Sequence, residues 1–312
     1  MRCIDPRRSS PILWRRGGSD AGPIDDRQSP QYLERLTFTD QPNAMAHLLF
    51  PTDLSDNALD AVRTGIALFG TEGNTFTLLY AFGAVGLADP MLPANIPDLQ
   101  QMANDGLAEF EGKLRSTTEL RGATVRRVAA FGPLPALIDE EARDQDIDLV
   151  VMASAGREGR SFFGSTTTSV IQGAHVPVLE LPNGVRDPRF DRILFADDRS
   201  AIAPHTLDIL AALARRFSSE VLIAHVATGR PAQDLVDNRP LFEQALAACS
   251  VRYLQIEHDQ VEEAIFDLAE REQVDLIAML HRHTGLWDGL FRSSTTRNIA
   301  LHSKLPVLAL EQ

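Results

Sequence analysis

Cysteine is almost missing from this sequence: Cys3 and Cys249 are the two among 312 residues, far apart and with no paired neighbour. That excludes a disulfide framework and a thiolate metal site, and it fits a reducing cytosol. Positive charge is also short, with 30 Lys and Arg against 43 Asp and Glu and a net charge of −13. A nucleic-acid binder needs a basic stripe to neutralise phosphates, and none is visible. Long apolar runs are absent too. None approaches the roughly 18–20 residues that a membrane-spanning helix requires. What is present is length: single cores stop growing near roughly 250–300 residues, so two domains are expected.

The first 44 residues are rich in Arg, Pro, Ser, Gly and Asp and carry no sustained apolar period. Such a segment buries too little to offset its ordering entropy, and a disordered extension over 1–44 is expected. Asp5, Asp20, Asp25 and Asp26 do not suit a transit peptide, and there is no apolar core of a signal peptide. Met45, directly ahead of the first strand, is the expected start of the folded chain.

From there the chain repeats itself. Leu49-Phe50-Pro51-Thr52-Asp53-Leu54-Ser55 aligns with Leu194-Phe195-Ala196-Asp197-Asp198-Arg199-Ser200, 145 positions later. Leu78-Leu79-Tyr80-Ala81 meets Ile223-Ala224-His225-Val226 at the same spacing. Further on, Asp148-Leu149-Val150-Val151-Met152 matches Asp275-Leu276-Ile277-Ala278-Met279 at an offset of 127. Ser165-Thr166-Thr167 and Pro177-Val178-Leu179 match Ser294-Thr295-Thr296 and Pro306-Val307-Leu308 at 129. The second copy has therefore lost a segment in its middle, where the first carries a Pro-rich loop expected over Ala84 to Leu99.

Each copy alternates short β-rich runs with longer amphipathic stretches, the signature of βαβ units. Ser55 is placed to cap a helix whose Leu59, Val62, Ile66 and Phe69 fall at helical spacing, and Leu207, Leu210, Ala214 and Phe217 echo it. The runs Leu48 to Phe50, Phe76 to Ala81, Val125 to Ala130, Leu149 to Met152 and Val178 to Leu181 read as strands buried on both faces. Left unpaired, the last of these and Val307 to Leu310 would be apolar edges, so the two halves are expected to pair through them, joined by a short polar linker from Pro182 to Phe190.

In this order, and twice over, these pieces resemble the universal stress protein (UspA-like) family in a tandem two-domain form. The resemblance covers most of Met45 to Gln312. It rests on the strand ending in Pro51-Thr52-Asp53 with Ser55, the Asp148 to Met152 strand, the Gly- and Ser-containing loop after it, and His175-Val176-Pro177-Val178-Leu179. It implies an α/β fold, two doubly wound five-stranded parallel-sheet domains of the Rossmann-like, adenine nucleotide alpha hydrolase-like type. The domains are expected over 45–182 and, in degenerate form, 190–312.

The family's nucleotide-binding members carry Gly-x-x-Gly, nine residues, then Gly-Ser or Gly-Thr. This chain reads Ala153-Ser154-Ala155-Gly156, seven residues, then Gly164-Ser165-Thr166, with Ala153 at the first glycine position. The resemblance implies that Gly156, Gly164, Ser165 and Thr166 line a phosphate site, with Arg157 or Arg160 adding charge. Glycines let backbone N–H groups approach an anion, and a helix opening at Ser165 aims its positive end there. Pro51, Thr52 and Asp53 supply the facing wall, and Ala81 flanks the base. Asp53 has a second reading as a plain helix-capping residue.

In the second copy Leu280, His283 and Ser293 occupy the glycine positions, and no nucleotide is expected there. Rival motifs are weaker. Gly159 to Thr166 lacks the lysine of a P-loop, Ser165 lacks a nucleophile elbow, and His281, His283 and His302 show no zinc spacing. The expected function is a cytoplasmic stress-response sensor or interaction module that binds ATP or a related adenine nucleotide, with Mg accompanying it, in the first domain only. The alternatives are a nucleotide-free scaffold for protein partners or a homodimer, and a weak ATPase or autophosphorylating protein.

Overall fold

The computed structural model describes residues 46–83, 96–154, 165–185, 189–228, 235–281 and 305–311. The first half runs β1 (His47–Pro51), α1 (Asp56–Phe69), β2 (Thr75–Phe82), α2 (Ile96–Thr117), β3 (Thr124–Phe131), α3 (Leu134–Gln145), β4 (Leu149–Ala153), α4 (Ser165–Gly173) and β5 (Val178–Leu181). The second runs β6 (Arg192–Ala196), a 3-10 turn (Pro204–Leu207), α5 (Asp208–Phe217), β7 (Glu220–Ala227), α6 (Arg239–Ala245), β8 (Ser250–Glu257), α7 (Val261–Arg271), β9 (Leu276–His281) and β10 (Val307–Glu311).

These strands form one sheet of ten in the order β3-β2-β1-β4-β5-β10-β9-β6-β7-β8. Within each half all neighbours are parallel, so each half is a doubly wound α/β unit whose strand order reverses beside its first strand. The halves meet where β5 and β10 run antiparallel, with Val307 opposite Glu180, Leu308 opposite Leu179 and Ala309 opposite Val178. Two tandem units thus pair as an intrachain pseudo-dimer. The repeat extends to the hydrogen bonds that start each sheet. The Asp148 carboxylate accepts from the His47 backbone N–H at 2.7 Å, and the Asp275 carboxylate accepts from that of Arg192 at 2.9 Å.

Parallel strands under crossover helices are dry on both faces, and β1, β4 and β9 carry Leu48, Leu49, Phe50, Val150, Val151, Leu276 and Ile277 fully buried. On the α1 side one apolar cluster runs unbroken from Phe50 and Leu78 through Leu179 and Leu308 to Phe195 and Ile223. On the opposite face the apolar residues fall into two clusters, one around Leu49, Val150 and Val178, the other around Leu194, Ile277 and Val307. Glu180 shares Val178's face by strand alternation and lies where those two clusters meet.

Ser55 is the N-cap of α1: its Oγ accepts from the Ala58 N–H at 3.2 Å. Further along α1, Gly65 faces the Phe50 ring, and a Cβ there would stand 2.6 Å from Phe50 Cε1. That ring is confined, being fully buried and edge-on to Phe76 at 5.9 Å between centroids. Gly65→Ala gains about 1 kcal/mol of helix propensity but forces an overpacked core, which costs typically 1–3 kcal/mol. The variant is expected to be the less stable protein in urea denaturation, and Phe50→Leu in the same chain to recover most of the loss.

Two sequence expectations require correction. The run Val125 to Ala130 is not buried on both faces. It lies in β3, the outer edge of the sheet, where Arg126 and Arg127 interrupt the apolar pattern and bond Glu141 and Glu111. An edge strand is protected by such charges rather than by burial. The expected loop from Ala84 to Leu99 also runs too far, since α2 already begins at Ile96. What the second half has lost is largely helix: α2 has 22 residues and α6, its counterpart, has 7.

Candidate functional site at the strand carboxyl ends

Strand order reverses between β1 and β4, and at such a point the loops leaving two adjacent strands diverge and leave a crevice. Pro51 closes β1 and is buried. Thr52 is held by its own backbone, its N–H donating to the Leu79 carbonyl at 2.9 Å, and its Oγ1 accepts from the Leu54 N–H at 2.9 Å. Asp53 Oδ1 accepts from the Ser55 N–H at 3.0 Å. These two side-chain turns hold Leu54 at φ 63°, and the chain then enters α1.

The other wall is the end of β4. Ala153 is its last residue, and the Ser154 N–H donates to the Leu181 carbonyl at 2.9 Å. Helix α4 begins at Ser165, and Thr167 Oγ1 donates to the Ala153 carbonyl at 3.4 Å. That contact sets the first turn of α4, with the N–H groups of a helix start, against the end of β4. Ala81, near the end of β2 and opposite Ala130 of β3, is half-buried. The structure therefore brings Pro51, Thr52, Asp53, Ala153 and the start of α4 to one edge of the sheet, with Ala81 one strand away. Gly156, Gly164, Arg157 and Arg160 lie outside the described residues, as do the side chains of Ser165 and Thr166.

A family model described as the universal stress protein family matches residues 45–182 and again residues 189–311. The chain belongs to the universal stress protein family. Solved structures share the fold of this universal stress protein. One, a universal stress protein from Archaeoglobus fulgidus DSM 4304, is 21% identical with a TM-score of 0.63, covering 85% of this chain and 96% of its own. A second, a protein of unknown function from Pseudomonas aeruginosa PAO1, is 14% identical with a TM-score of 0.52, covering 88% and 95%. A universal stress protein solved in complex with cAMP is 17% identical with a TM-score of 0.33 and matches 46% of this chain and 100% of its own. No curated protein matches the chain.

In the second half of this universal stress protein the equivalent strand end is built differently. Asp197 Oδ1 accepts from the Arg199 N–H at 2.9 Å and from Asn238 Nδ2 at 3.2 Å, and Asp198 Oδ1 accepts from the Ser200 N–H and hydroxyl. Leu280 is fully buried in β9, while His283 and Ser293 lie outside the described residues. His281 closes β9 opposite Glu311, and His302 is outside the described residues. Among the described residues no three His, Cys, Asp or Glu side chains are grouped to hold a metal ion, and no helix is long and apolar enough to cross a membrane.

Sequence reasoning missed a feature that lies away from this crevice. Among the described residues a cavity of about 530 Å³ opens over β6, β7 and β8 of the second half, lined by Asp197, His225, Arg239 and Tyr253 among others. No motif marks it. The available signal was the shortened middle segment of the second repeat together with charged residues at two positions that are uncharged in the first, Arg199 for Leu54 and Asp197 for Thr52.

Proposed function

We propose that this universal stress protein binds one adenine nucleotide, in its first half, and acts as a cytoplasmic sensor or interaction module. The observation that carries the reading is the reversal of strand order between β1 and β4, with the start of α4 set against the end of β4 by the Thr167 to Ala153 bond. The residues present suit the nucleotide. Backbone donors at a helix start suit phosphates, with Gly164 and Gly156 allowing close approach. The partly exposed Ala81 offers a flat apolar surface to a base, and Asp53 an acceptor for ribose or base donors. Mg would accompany the phosphates when they are bound.

Nucleotide should be found in the denatured, freshly purified protein by mass spectrometry, and titration calorimetry with ATP, ADP, AMP and cAMP should give a single site per chain. Gly164→Val is expected to abolish binding, since a branched side chain blocks the approach of phosphate to the backbone. Ser165→Ala should weaken binding by roughly 1–2 kcal/mol, the scale of one hydrogen bond to a charged group. Two sites per chain, or unchanged affinity in Gly164→Val, would overturn the reading.

A second reading is favoured by Ala153 at the first glycine position and by a loop two residues shorter than the family pattern: a nucleotide-free scaffold for protein partners. Failure of the unmodified chain to bind any of the four nucleotides would support it. A slow release of phosphate from ATP would place the protein among weak ATPases instead.

A further inference from the structure

The two halves differ most in what covers the outer part of the sheet. In the first half α2 lies across β2 and β3, burying Leu107, Phe110 and Leu114. It passes so close to the turn after β1 that a Cβ on Gly106 would stand 2.8 Å from Leu54 Cδ1. Arg127 of β3 pairs with Glu111 of the same helix at 3.1 Å. In the second half α6 has 7 residues and sets Phe242 edge-on to Phe195, leaving the cavity of about 530 Å³ where the rest of a long helix would lie.

The residues around that cavity have changed with it. Arg199 stands at the repeat position of Leu54, in the same left-handed conformation, φ 58° against 63°. Where Leu54 meets a helix, the Arg199 guanidinium reaches, among the described residues, Gln255 of β8 at a long 3.4 Å. Asp197 replaces Thr52 and His225 replaces Tyr80. By strand register Tyr253 stands where Arg127 does, opposite Ile223 as Arg127 is opposite Leu78.

This wall is built, not frayed. Asn238 is buried and ties the segment ahead of α6 to the turn after β6, donating from Nδ2 to Asp197 Oδ1 and to the Ser200 carbonyl at 2.8 Å. The Val236 N–H donates to the Arg199 carbonyl at 2.7 Å. The Arg239 guanidinium is stacked over the Tyr253 ring, 4.4 Å from its centroid.

The charges around the cavity do not satisfy each other. Asp197 is 9% exposed, and both of its side-chain bonds use Oδ1, so Oδ2 takes no donor among the described residues. Among the described residues the Arg239 guanidinium has no carboxylate partner, and the buried Tyr253 hydroxyl has no hydrogen bond. His225 must donate from Nδ1 to the Asp197 carbonyl at 2.9 Å, because a carbonyl only accepts, which leaves Nε2 as an acceptor in the neutral ring. A carboxylate oxygen and two guanidiniums held around one cavity without closing onto each other offer an acceptor for a ligand's ammonium group and donors for its carboxylate. Burial already holds the Asp197 carboxyl above its usual range, against the opposing effects of the Arg199 N–H and Asn238.

We propose that this cavity of the second half is a binding site for a short peptide, two or three residues long, with both ends free. The ammonium group donates to Asp197 Oδ2 and His225 Nε2, and the carboxylate is taken by Arg239 and Arg199. The cavity volume falls within the roughly 300–1,000 Å³ usual for small-molecule sites, too large for a single small ion. The site is separate from the nucleotide crevice, and ATP does not compete for it.

Trialanine is the probe, followed by saturation-transfer NMR on the full chain, with N-acetyl-trialanine and trialanine amide as forms lacking one charge each. Trialanine is expected to bind saturably in the millimolar range or better, and each blocked form about tenfold or more weakly, the scale of a lost charged hydrogen bond. Asp197→Asn should erase the penalty for the acetylated form, and Arg239→Gln the penalty for the amide. Arg199→Leu, which installs the residue of the first half, should weaken trialanine with the fold intact by circular dichroism. No saturable binding of trialanine, equal binding of the blocked forms, or penalties unchanged in Asp197→Asn and Arg239→Gln would each overturn the proposal.

Discussion

Glu180→Leu is expected to make the protein more stable at neutral pH by about 1–4 kcal/mol, the range seen when buried charged groups give way to apolar ones. Glu180 is 3% exposed in the strand that joins the halves, and neither carboxylate oxygen has a hydrogen-bond partner among the described residues. Burial holds its carboxyl well above the usual range. A carboxyl whose folded-state value is raised favours folding below its unfolded value, and that contribution is lost as pH rises through the folded one. The stability difference between the variant and the unmodified chain should therefore be smallest in acid, grow as pH climbs past the ordinary carboxylate range, and level off above the raised value. Asp197, Asp208 and Asp275, also raised by burial, are common to both proteins and cancel in the difference. Urea denaturation of the two proteins across pH would test this, and a difference independent of pH, or a loss of stability in the variant, would refute it.

The opposite change at the neighbouring pair should be severe. Leu179 and Leu308 face each other across the seam, both fully buried, within the one apolar cluster that spans both halves. Leu308→Lys places an ammonium group there without a partner, an error that costs about 3–5 kcal/mol in a protein whose total stability is of order 5–15. Because that cluster is continuous, the loss should be felt on both sides. Amide exchange should quicken together in β4 and β9, and the thermal midpoint should fall as one transition. Retention of full protection in β4 while β9 opens would show that the halves fold independently.

The buried strands were legible because parallel strands under helices must be apolar on consecutive positions, and Leu48 to Phe50 and Leu149 to Met152 are. The capping role of Ser55 was legible because short polar side chains ahead of an amphipathic run satisfy free N–H groups. The pairing of the halves followed from two apolar strands with nothing else to cover them. Other features were hidden for physical reasons. Val125 to Ala130 has enough apolar residues to read as core, yet a strand's place in the sheet depends on its neighbours, and Arg126 and Arg127 reveal an edge only once Glu141 and Glu111 are beside them. Glu180 sits inside a run otherwise apolar, where local sequence does not say whether a carboxylate is dry. The cavity of the second half comes from residues that are missing, and a missing helix leaves its mark only as a shift in repeat spacing. The crevice at β1 and β4 was placed by topology, while the expected phosphate loop lies beyond the described residues.

Covalent joining also changes what the seam is allowed to contain. When two identical chains meet through one strand, every residue beside the two-fold axis appears twice, facing its own copy. A glutamate at the position of Glu180 would then come as a pair, set diagonally across the axis at about 7–8 Å, two like charges in one dry layer. In the fused chain the repeat position of Glu180 is Ala309, so the carboxylate occurs once, with Val307 directly opposite and the Ala309 methyl group at the diagonal position. Fusion freed each copy from having to be compatible with itself. A residue that a symmetric pair would have to reject can persist here, and the two halves are free to diverge in charge without losing the contact that binds them.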